Sequence, residues 1–341
     1  GVKFCLPDAA PITPELMAKI RELSYVELPP AETRGSYRTQ DVLGAYAAHL
    51  HSLVDLRGMR RLKVVVDAGN GMGGFTTPAV LGPLNIEVIG LFLDLDGSFP
   101  NHQPNPLEPE NLVDAQRAVR EHGADLGLVF DGDADRCFII DERGEVVSPS
   151  VVTALIARSE LAREPGATIV VNTITSRAVA EVVAAAGGKL TTSVVGHTRM
   201  KAAMAEHNAI FGGEHSAHYY FREFWRADTG MLAGLHVIAL LGRTGLPMSE
   251  LAAELPQYAA SGEINSVVDD AKAVMAQVAD AFAGRGEISW VDGLLVSGVD
   301  WWVSVRESNT EPLLRLNVEA RDAGTVAALR DEALSIIRKD R

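Results

Sequence analysis

The chain has 341 residues, 47% hydrophobic and 22% charged, an ordinary globular balance with room for about two or three domains. A formal net charge of −14 argues against nucleic acid or an anionic membrane as partner, because both demand basic surface; an anionic ligand would need locally gathered arginines, histidines or a metal. Cys5 and Cys137 are too few for a disulfide scaffold, no run reaches the ~18 apolar residues of a membrane helix, and no signal-peptide pattern opens the chain, so a reducing cytoplasm is the expected setting.

The chain opens GVKFCL without an initiator Met, in what reads as a strand, as a cut chain would. LKVVVDAGNG (62–71) reads as a strand, followed by a helix near 75–82 and a strand over IEVIGLFLDL (86–95). NLVDAQRAVREHG (111–123) has helical spacing and a glycine stop, and ADLGLVF (124–130) is an apolar strand. SPSVVTALIARSELA (148–162) is predicted helical, with Ser148 or Ser150 as N-cap. ATIVVNTI (167–174), SRAVAEVVAAAGG (176–188), KLTTSVV (189–195), a short helix near 198–207 and NAIFGGE (208–214) continue the alternation. Such βαβ order favours mixed or parallel sheets covered by helices, and the two blocks are candidates for copies of one domain type. The apolar run Met231 to Leu241 is interrupted by His236. After a proline-containing break near 246, the remainder (GEINSVV, a helix near 270–283, GLLVSG, DWWVSVRES, PLLRLNVEA and a helix over 323–338) reads as a separate small α+β domain.

Four phrases carry chemistry. In LVFDGDADR the strand ends on Asp131, Asp133 and Asp135 at alternate positions. Each ionised pair at ~4 Å costs ~1 kcal/mol even in water, so a cation is expected among them. Three carboxylate oxygens that leave room for water and a substrate phosphate suit Mg²⁺. An EF-hand would explain Glu142 at the twelfth position but not Arg136 at the sixth, where that loop needs glycine. A phosphatase with Asp131 as nucleophile and a plain acidic turn are the other readings. GNGMGG (69–74) matches a dinucleotide fingerprint, but Phe75 to Ala79 is a poor helix start with Pro78 inside it, which favours a tight glycine turn.

GGEHSAH (212–218) has the order E-H-x-x-H, unlike a zinc helix, and better suits hydroxyl recognition, where the Glu214 carboxylate accepts from two neighbouring sugar hydroxyls. RESNTEPLLR (306–315) places Arg306, Ser308, Asn309 and Thr310 on one turn, a way of holding a phosphate dianion without a Walker motif. VGHTRMK (195–201) adds His197, Arg199 and Lys201 at a helix start. One cation loop, one hydroxyl-reading loop and one or two phosphate loops, each at a strand end, imply a phosphorylated sugar in a cleft between domains.

With VVVDAGNG, FPNHQPNPLEPENL (99–112), LVFDGDADR, VGH, GGEHSAHYYF and VRESNTEPLLRLNVEA in that order, the sequence resembles the α-D-phosphohexomutases, in particular the bacterial phosphomannomutase/phosphoglucomutase group. The resemblance implies tandem mutase-type α/β domains with mixed sheets and a C-terminal α+β, TBP-like domain. The expected division is a remnant of a first domain over 1–40, a metal-loop domain over 41–148, a sugar-loop domain over 149–250 and a phosphate-binding domain over 258–341. It also implies Mg²⁺ on Asp131, Asp133 and Asp135 with Arg136 facing the substrate. Glu214 and Ser216 would contact the sugar with His218 nearby, and Arg306, Ser308, Asn309 and Thr310 would hold the non-reacting phosphate. The partners would be hexose phosphates and hexose bisphosphates. SNTEP leans toward the mannose/glucose branch.

The family's reactive serine sits in a phrase like TASHNP, which these residues do not contain, so this chain alone is expected to be inactive. Ala217 stands where the family usually has glycine, and no lysine occurs over Thr173–Ser176. A non-catalytic sugar-phosphate-binding protein is the alternative from another class.

Overall fold

The computed structural model describes residues 4–10, 12–27, 29, 31–308 and 313–339. Its opening differs from the sequence expectation. Phe4–Leu6 forms no named strand, because the chain turns back at once and Leu6 N donates to Ala10 O at 2.9 Å. Helix α1 (Pro14–Leu23) is capped by Thr13, yet buries none of its residues. Helix α2 (Leu43–Leu53) is the first element to enter a core, through Ala47 and Leu50.

The first sheet is built from β1 (Leu62–Asp67), helix α3 (Met72–Leu81), β2 (Ile86–Leu91), helix α4 (Val113–His122), β3 (Leu126–Phe130), β4 (Cys137–Ile140) and β5 (Val146–Val147). Its order is β2-β1-β3-β4-β5, with β1 parallel to β2 and β3, and with β4 and β5 added antiparallel. Continuous burial of β3 and β4 explains their unbroken apolar sequences.

The second sheet follows helix α5 (Pro149–Arg163) and contains β6 (Thr168–Asn172), helix α6 (Arg177–Ala185), β7 (Lys189–Ser193), helix α7 (His197–Glu206), β8 (Phe211–Gly213), β9 (Tyr219–Phe221) and β10 (Ala227–Asp228). Its order, β10-β9-β8-β6-β7, is the first sheet's pattern element for element, three parallel strands and then an antiparallel pair. Helix α8 (Gly230–Thr244) packs against β4 and α5 and is buried along most of its length, which accounts for its apolar run. Gly234 lets it approach Leu128, where an added Cβ would lie 3.1 Å away. One apolar core therefore runs through both sheets, and helix α9 (Met248–Ala253) closes it with Met248 and Leu251.

The third sheet has its own core and is wholly antiparallel. It comprises β11 (Ala259–Ala260), β12 (Ile264–Val267), helix α10 (Ala271–Ala281), β13 (Glu287–Ser289), β14 (Leu294–Ser297), β15 (Trp301–Glu307), β16 (Leu313–Ala320) and helix α11 (Ala323–Ile337). This is the mixed-sheet α/β architecture with a C-terminal α+β unit. Among the described residues no helix is long and apolar enough to cross a membrane.

Two local departures from the sequence expectation have physical causes. Helix α3 starts at Met72, earlier than expected, and keeps Pro78 inside it. Its first N–H is used at once, Met72 N donating to Gly132 O at 3.0 Å, so the glycine turn is fastened to the loop over 131–136. At Gly71 a Cβ would lie 2.5 Å from Gly132 O, so only glycine allows this approach. Strand β2 ends at Leu91, because Phe92 turns into the left-handed region (φ 52°) and its carbonyl accepts from Asn70 N at 2.9 Å.

Candidate functional site

The two equivalent sheets place their loops equivalently. Residues 131–136 join β3 to β4, and residues 214–218 join β8 to β9, each at the C-terminal end of the last parallel strand. Strand ends are where open α/β sheets bind ligands.

In the first loop, Asp131 is buried, Asp135 half-buried and Asp133 exposed. One oxygen of each lies within 4.8 Å of the others. An all-oxygen set of this kind fits a hard divalent cation such as Mg²⁺. Arg136 anchors the loop: its Nε donates to Asp131 Oδ2 at 2.7 Å, its backbone N to Asp131 Oδ1 at 3.2 Å and its Nη1 to Asn105 Oδ1 at 3.2 Å. Burial raises the Asp131 carboxyl, and the Arg136 charge opposes this.

In the second loop, Glu214 is only 2% exposed and heavily engaged. Oε1 accepts from Gly196 N at 3.2 Å and Asn172 Nδ2 at 3.3 Å, and Oε2 accepts from the Tyr220 hydroxyl at 2.6 Å. A carboxylate has about four accepting positions. These donors take three of them, and His218 Nδ1 lies 3.7 Å from Oε2. Ala217 adopts φ 65°, the conformation a glycine would supply, and is fully buried. Ser216 Oγ lies 2.8 Å from His218 Nδ1, and His218 Nε2 lies 3.5 Å from Asp135 Oδ1. Burial works against charging His218, but Asp135, Glu214 and Asp228 outweigh it and hold the imidazole above its ordinary pKa. The loops are stitched together by a bridge between Arg136 and His218 and by Cys137 N donating to Ala217 O at 3.3 Å.

The third element lies on β15 and β16. Arg306 is 6% exposed and sits directly opposite Arg315 across the strands. Arg306 Nη2 donates to Glu263 Oε2 at 3.0 Å, and Arg315 Nη1 lies 3.2 Å from Glu263 Oε1. Arg315 Nη2 also reaches Ser308 Oγ at 3.1 Å. Asn309 and Thr310 lie outside the described residues. His215, in the loop over 214–218, lies beside this group: its Nε2 is 4.0 Å from Glu263 Oε2 and its Nδ1 accepts from Asn172 Nδ2 at 3.2 Å. Burial, with Arg306 adding to it, pushes His215 down to about 3, so the ring is neutral at ordinary pH.

A series of polar neighbours, hydrogen-bonded at some links and 3.7 Å and 4.0 Å apart at His218–Glu214 and His215–Glu263, leads from Asp135 through His218, Glu214, Asn172, His215 and Glu263 to Arg306, across all three sheets. His197, Arg199 and Lys201 at the start of α7 line a cleft of ≈ 1060 Å³ together with Asp133 and Asp135, so the cationic helix start faces the aspartate loop. Lys201 Nζ donates to Ala9 O at 2.7 Å, which holds the N-terminal segment at the cleft rim. Arg306 and Glu214 do not line this cleft.

Sequence reasoning missed Glu263, Asn172, Tyr220 and Asn105. Tyr220 lay inside a quoted phrase, and Arg315 closed another, but neither was singled out. Glu263, Asn172 and Asn105 carry no local signal, since each acts through a partner far away in sequence.

Comparison with known proteins agrees with this geometry. The models of the phosphoglucomutase/phosphomannomutase family match in succession: alpha/beta/alpha domain II over residues 44–144, alpha/beta/alpha domain III over 148–258 and the C-terminal domain over 263–336. A protein of Xanthomonas campestris pv. campestris named "Phosphohexose mutases" is 38% identical over 98% of this chain and 76% of its own length. A phosphomannomutase of Salmonella typhimurium is 39% identical over 94% of this chain and 73% of its own. Among solved structures, a phosphoglucomutase/phosphomannomutase family protein from Burkholderia thailandensis superposes with a TM-score of 0.85 at 31% identity, covering 97% of this chain and 72% of that one. The chain belongs to the phosphoglucomutase/phosphomannomutase family.

Proposed function

We propose that these residues form the metal-, sugar- and phosphate-binding loops of a phosphohexomutase. It would interconvert the 1- and 6-phosphates of mannose, glucose or both through a phosphoserine and a bisphosphate intermediate. The observation that supports this is the series of polar contacts leading from Asp135 to Arg306, which is consistent with three loops on three sheets serving one ligand. The names of the relatives point the same way.

In this proposal Arg306, Arg315 and Ser308, with Asn309 and Thr310, hold the phosphate that does not react. Glu214, already engaged by Gly196, Asn172 and Tyr220, reads few sugar hydroxyls. Contact with few hydroxyls is how glucose and mannose phosphates would share a site. His218 stands between Asp135 and Glu214, placed to exchange a proton with a sugar hydroxyl. Arg136 keeps Asp131 in line, and His197, Arg199 and Lys201 add positive charge to the cleft. Mg²⁺ held by Asp131, Asp133 and Asp135 would neutralise charge on the phosphoryl group in transit. Asp131 is a poor nucleophile for a phosphatase, since it is buried and both of its oxygens accept from Arg136.

The phosphoryl donor, a serine in a TASHNP-like phrase, is not among these 341 residues. We therefore propose that these residues alone bind hexose phosphates without turning them over. The experiment is a coupled mutase assay with Mg²⁺ and a bisphosphate activator on this chain and on one extended upstream to include such a serine. Activity only in the longer chain, abolished by Ser→Ala, is expected. Turnover by the 341 residues, free of contaminating mutase, would overturn the serine mechanism. Inactivity of both chains despite sugar-phosphate binding would favour a non-catalytic binding protein.

A further inference from the structure

The arginine pair on the third sheet poses an electrostatic problem. Arg306 and Arg315 face each other across adjacent antiparallel strands, and like charges in that position repel. Glu263 resolves it from the residue preceding β12, just after the left-handed turn at Gly262 (φ 69°). Its two carboxylate oxygens are shared between the two guanidiniums, at 3.0 Å and 3.2 Å, much as two oxygens of a phosphate group would be. His215 is neutral, and Asp292, whose Oδ2 accepts from Thr173 Oγ1 at 2.8 Å and Val195 N at 3.0 Å, adds a second, longer-range negative charge that acts on Arg306. Among the described residues, Nε of both arginines is buried without a hydrogen-bond partner.

We infer that Glu263 is a built-in competitor for the phosphate turn: its carboxylate occupies the Arg306 and Arg315 forks and yields them when a phosphate group arrives. This deepens the sugar-phosphate function proposed above. With the Glu263 carboxylate between them and the Asp292 charge nearby, the two guanidiniums grip a dianion only moderately. In a reaction whose bisphosphate intermediate presents each phosphate in turn, a moderate grip lets the group leave and the other end take its place. Glu263 would then set how fast the turn exchanges its occupant, at the expense of how tightly it holds.

The test is calorimetric titration of inorganic phosphate into the wild-type chain, Glu263→Gln and Glu263→Asp, with thermal melting to confirm folding. Removing a unit charge ~5 Å from a dianion in a water-like dielectric is worth about five- to thirtyfold in affinity. Glu263→Gln is expected to bind phosphate tighter by that factor, and adding Arg306→Ala to it should abolish the gain. Should Glu263→Gln fail to fold, Glu263→Asp, which withdraws the carboxylate, should show a smaller gain of the same sign. Unchanged or weaker binding would make Glu263 a support for the arginines and overturn the inference, as would phosphate binding undetectable in every variant. Hexose phosphates titrated in parallel separate this from the function itself. Their failure to bind better than inorganic phosphate would sink the sugar-phosphate proposal and leave the Glu263 result standing.

Discussion

Tyr220→Phe isolates the bond that fixes the Glu214 carboxylate. The Tyr220 hydroxyl donates to Glu214 Oε2 at 2.6 Å, and both side chains are essentially inaccessible. The change removes one oxygen from a fully buried ring and disturbs no packing, so the loss should be that of a hydrogen bond to a buried charge. Such bonds contribute about 1.5–3 kcal/mol. For a cooperative unit of 150–250 residues, each kcal/mol shifts the melting temperature by about 2–4 °C, so a fall of roughly 3–12 °C is expected. Differential scanning calorimetry in Mg²⁺-free buffer would measure it, with phosphate titration as a control. Phosphate affinity should not move, because Arg306 and Arg315 are held by Glu263. A variant that melts with the wild type would show that this bond does not anchor Glu214, and the hydroxyl-reading role would lose its support.

Asp133→Asn should abolish tight Mg²⁺ binding while shifting apo stability by no more than ~1 kcal/mol, because one member of a repelling trio is neutralised on an exposed turn; unchanged Mg²⁺ affinity in calorimetry would remove the metal assignment. Arg306→Ala should weaken glucose 6-phosphate and mannose 6-phosphate alike, by about 1.5–3 kcal/mol or roughly ten- to hundredfold, as loss of a charge-assisted contact; loss confined to one sugar would contradict its role on phosphate. His102 Nε2 lies 3.2 Å from the fully buried Asp67, and this bond, against the cost of burial and with help from the Gln103 carbonyl, raises the histidine above its ordinary pKa. Its contribution to stability is therefore complete below pH ~6.5 and lost as pH rises through the higher folded value. Melting temperatures should fall less across that window in His102→Gln than in the wild type, the remaining fall belonging to His218, and parallel profiles would refute the assignment.

Much of the fold was legible because its signals are local. The alternation of apolar strands and helices, the Ser148 cap accepting from Ser150 N and the glycine stop at Gly123 (φ 55°) all follow from neighbouring residues. What the sequence hid depends on partners distant along the chain. Phe92 breaks β2 because Asn70 captures its carbonyl, and α3 begins early because Gly132 O accepts the N–H of Met72. The site divides in the same way. Asp131, Asp133 and Asp135 announce themselves by spacing, and Glu214 and Arg306 by their phrases. Glu263 sits among ordinary polar residues and becomes meaningful only when β12, β15 and β16 bring it to the two arginines. The left-handed Ala217 was signalled only by the resemblance, in which glycine usually stands there, since nothing in EHSAH itself shows that an alanine must take a glycine's conformation.

The central claim is that three loops on three sheets hold one hexose phosphate. A crystal structure of this chain with mannose 6-phosphate and MgCl₂ tests it most directly. The expected result places the phosphate on Arg306 and Arg315, a sugar hydroxyl on Glu214 Oε2 and a cation among Asp131, Asp133 and Asp135. A sugar phosphate seated away from Arg306 and Glu214, with the three aspartates binding no metal, would contradict it.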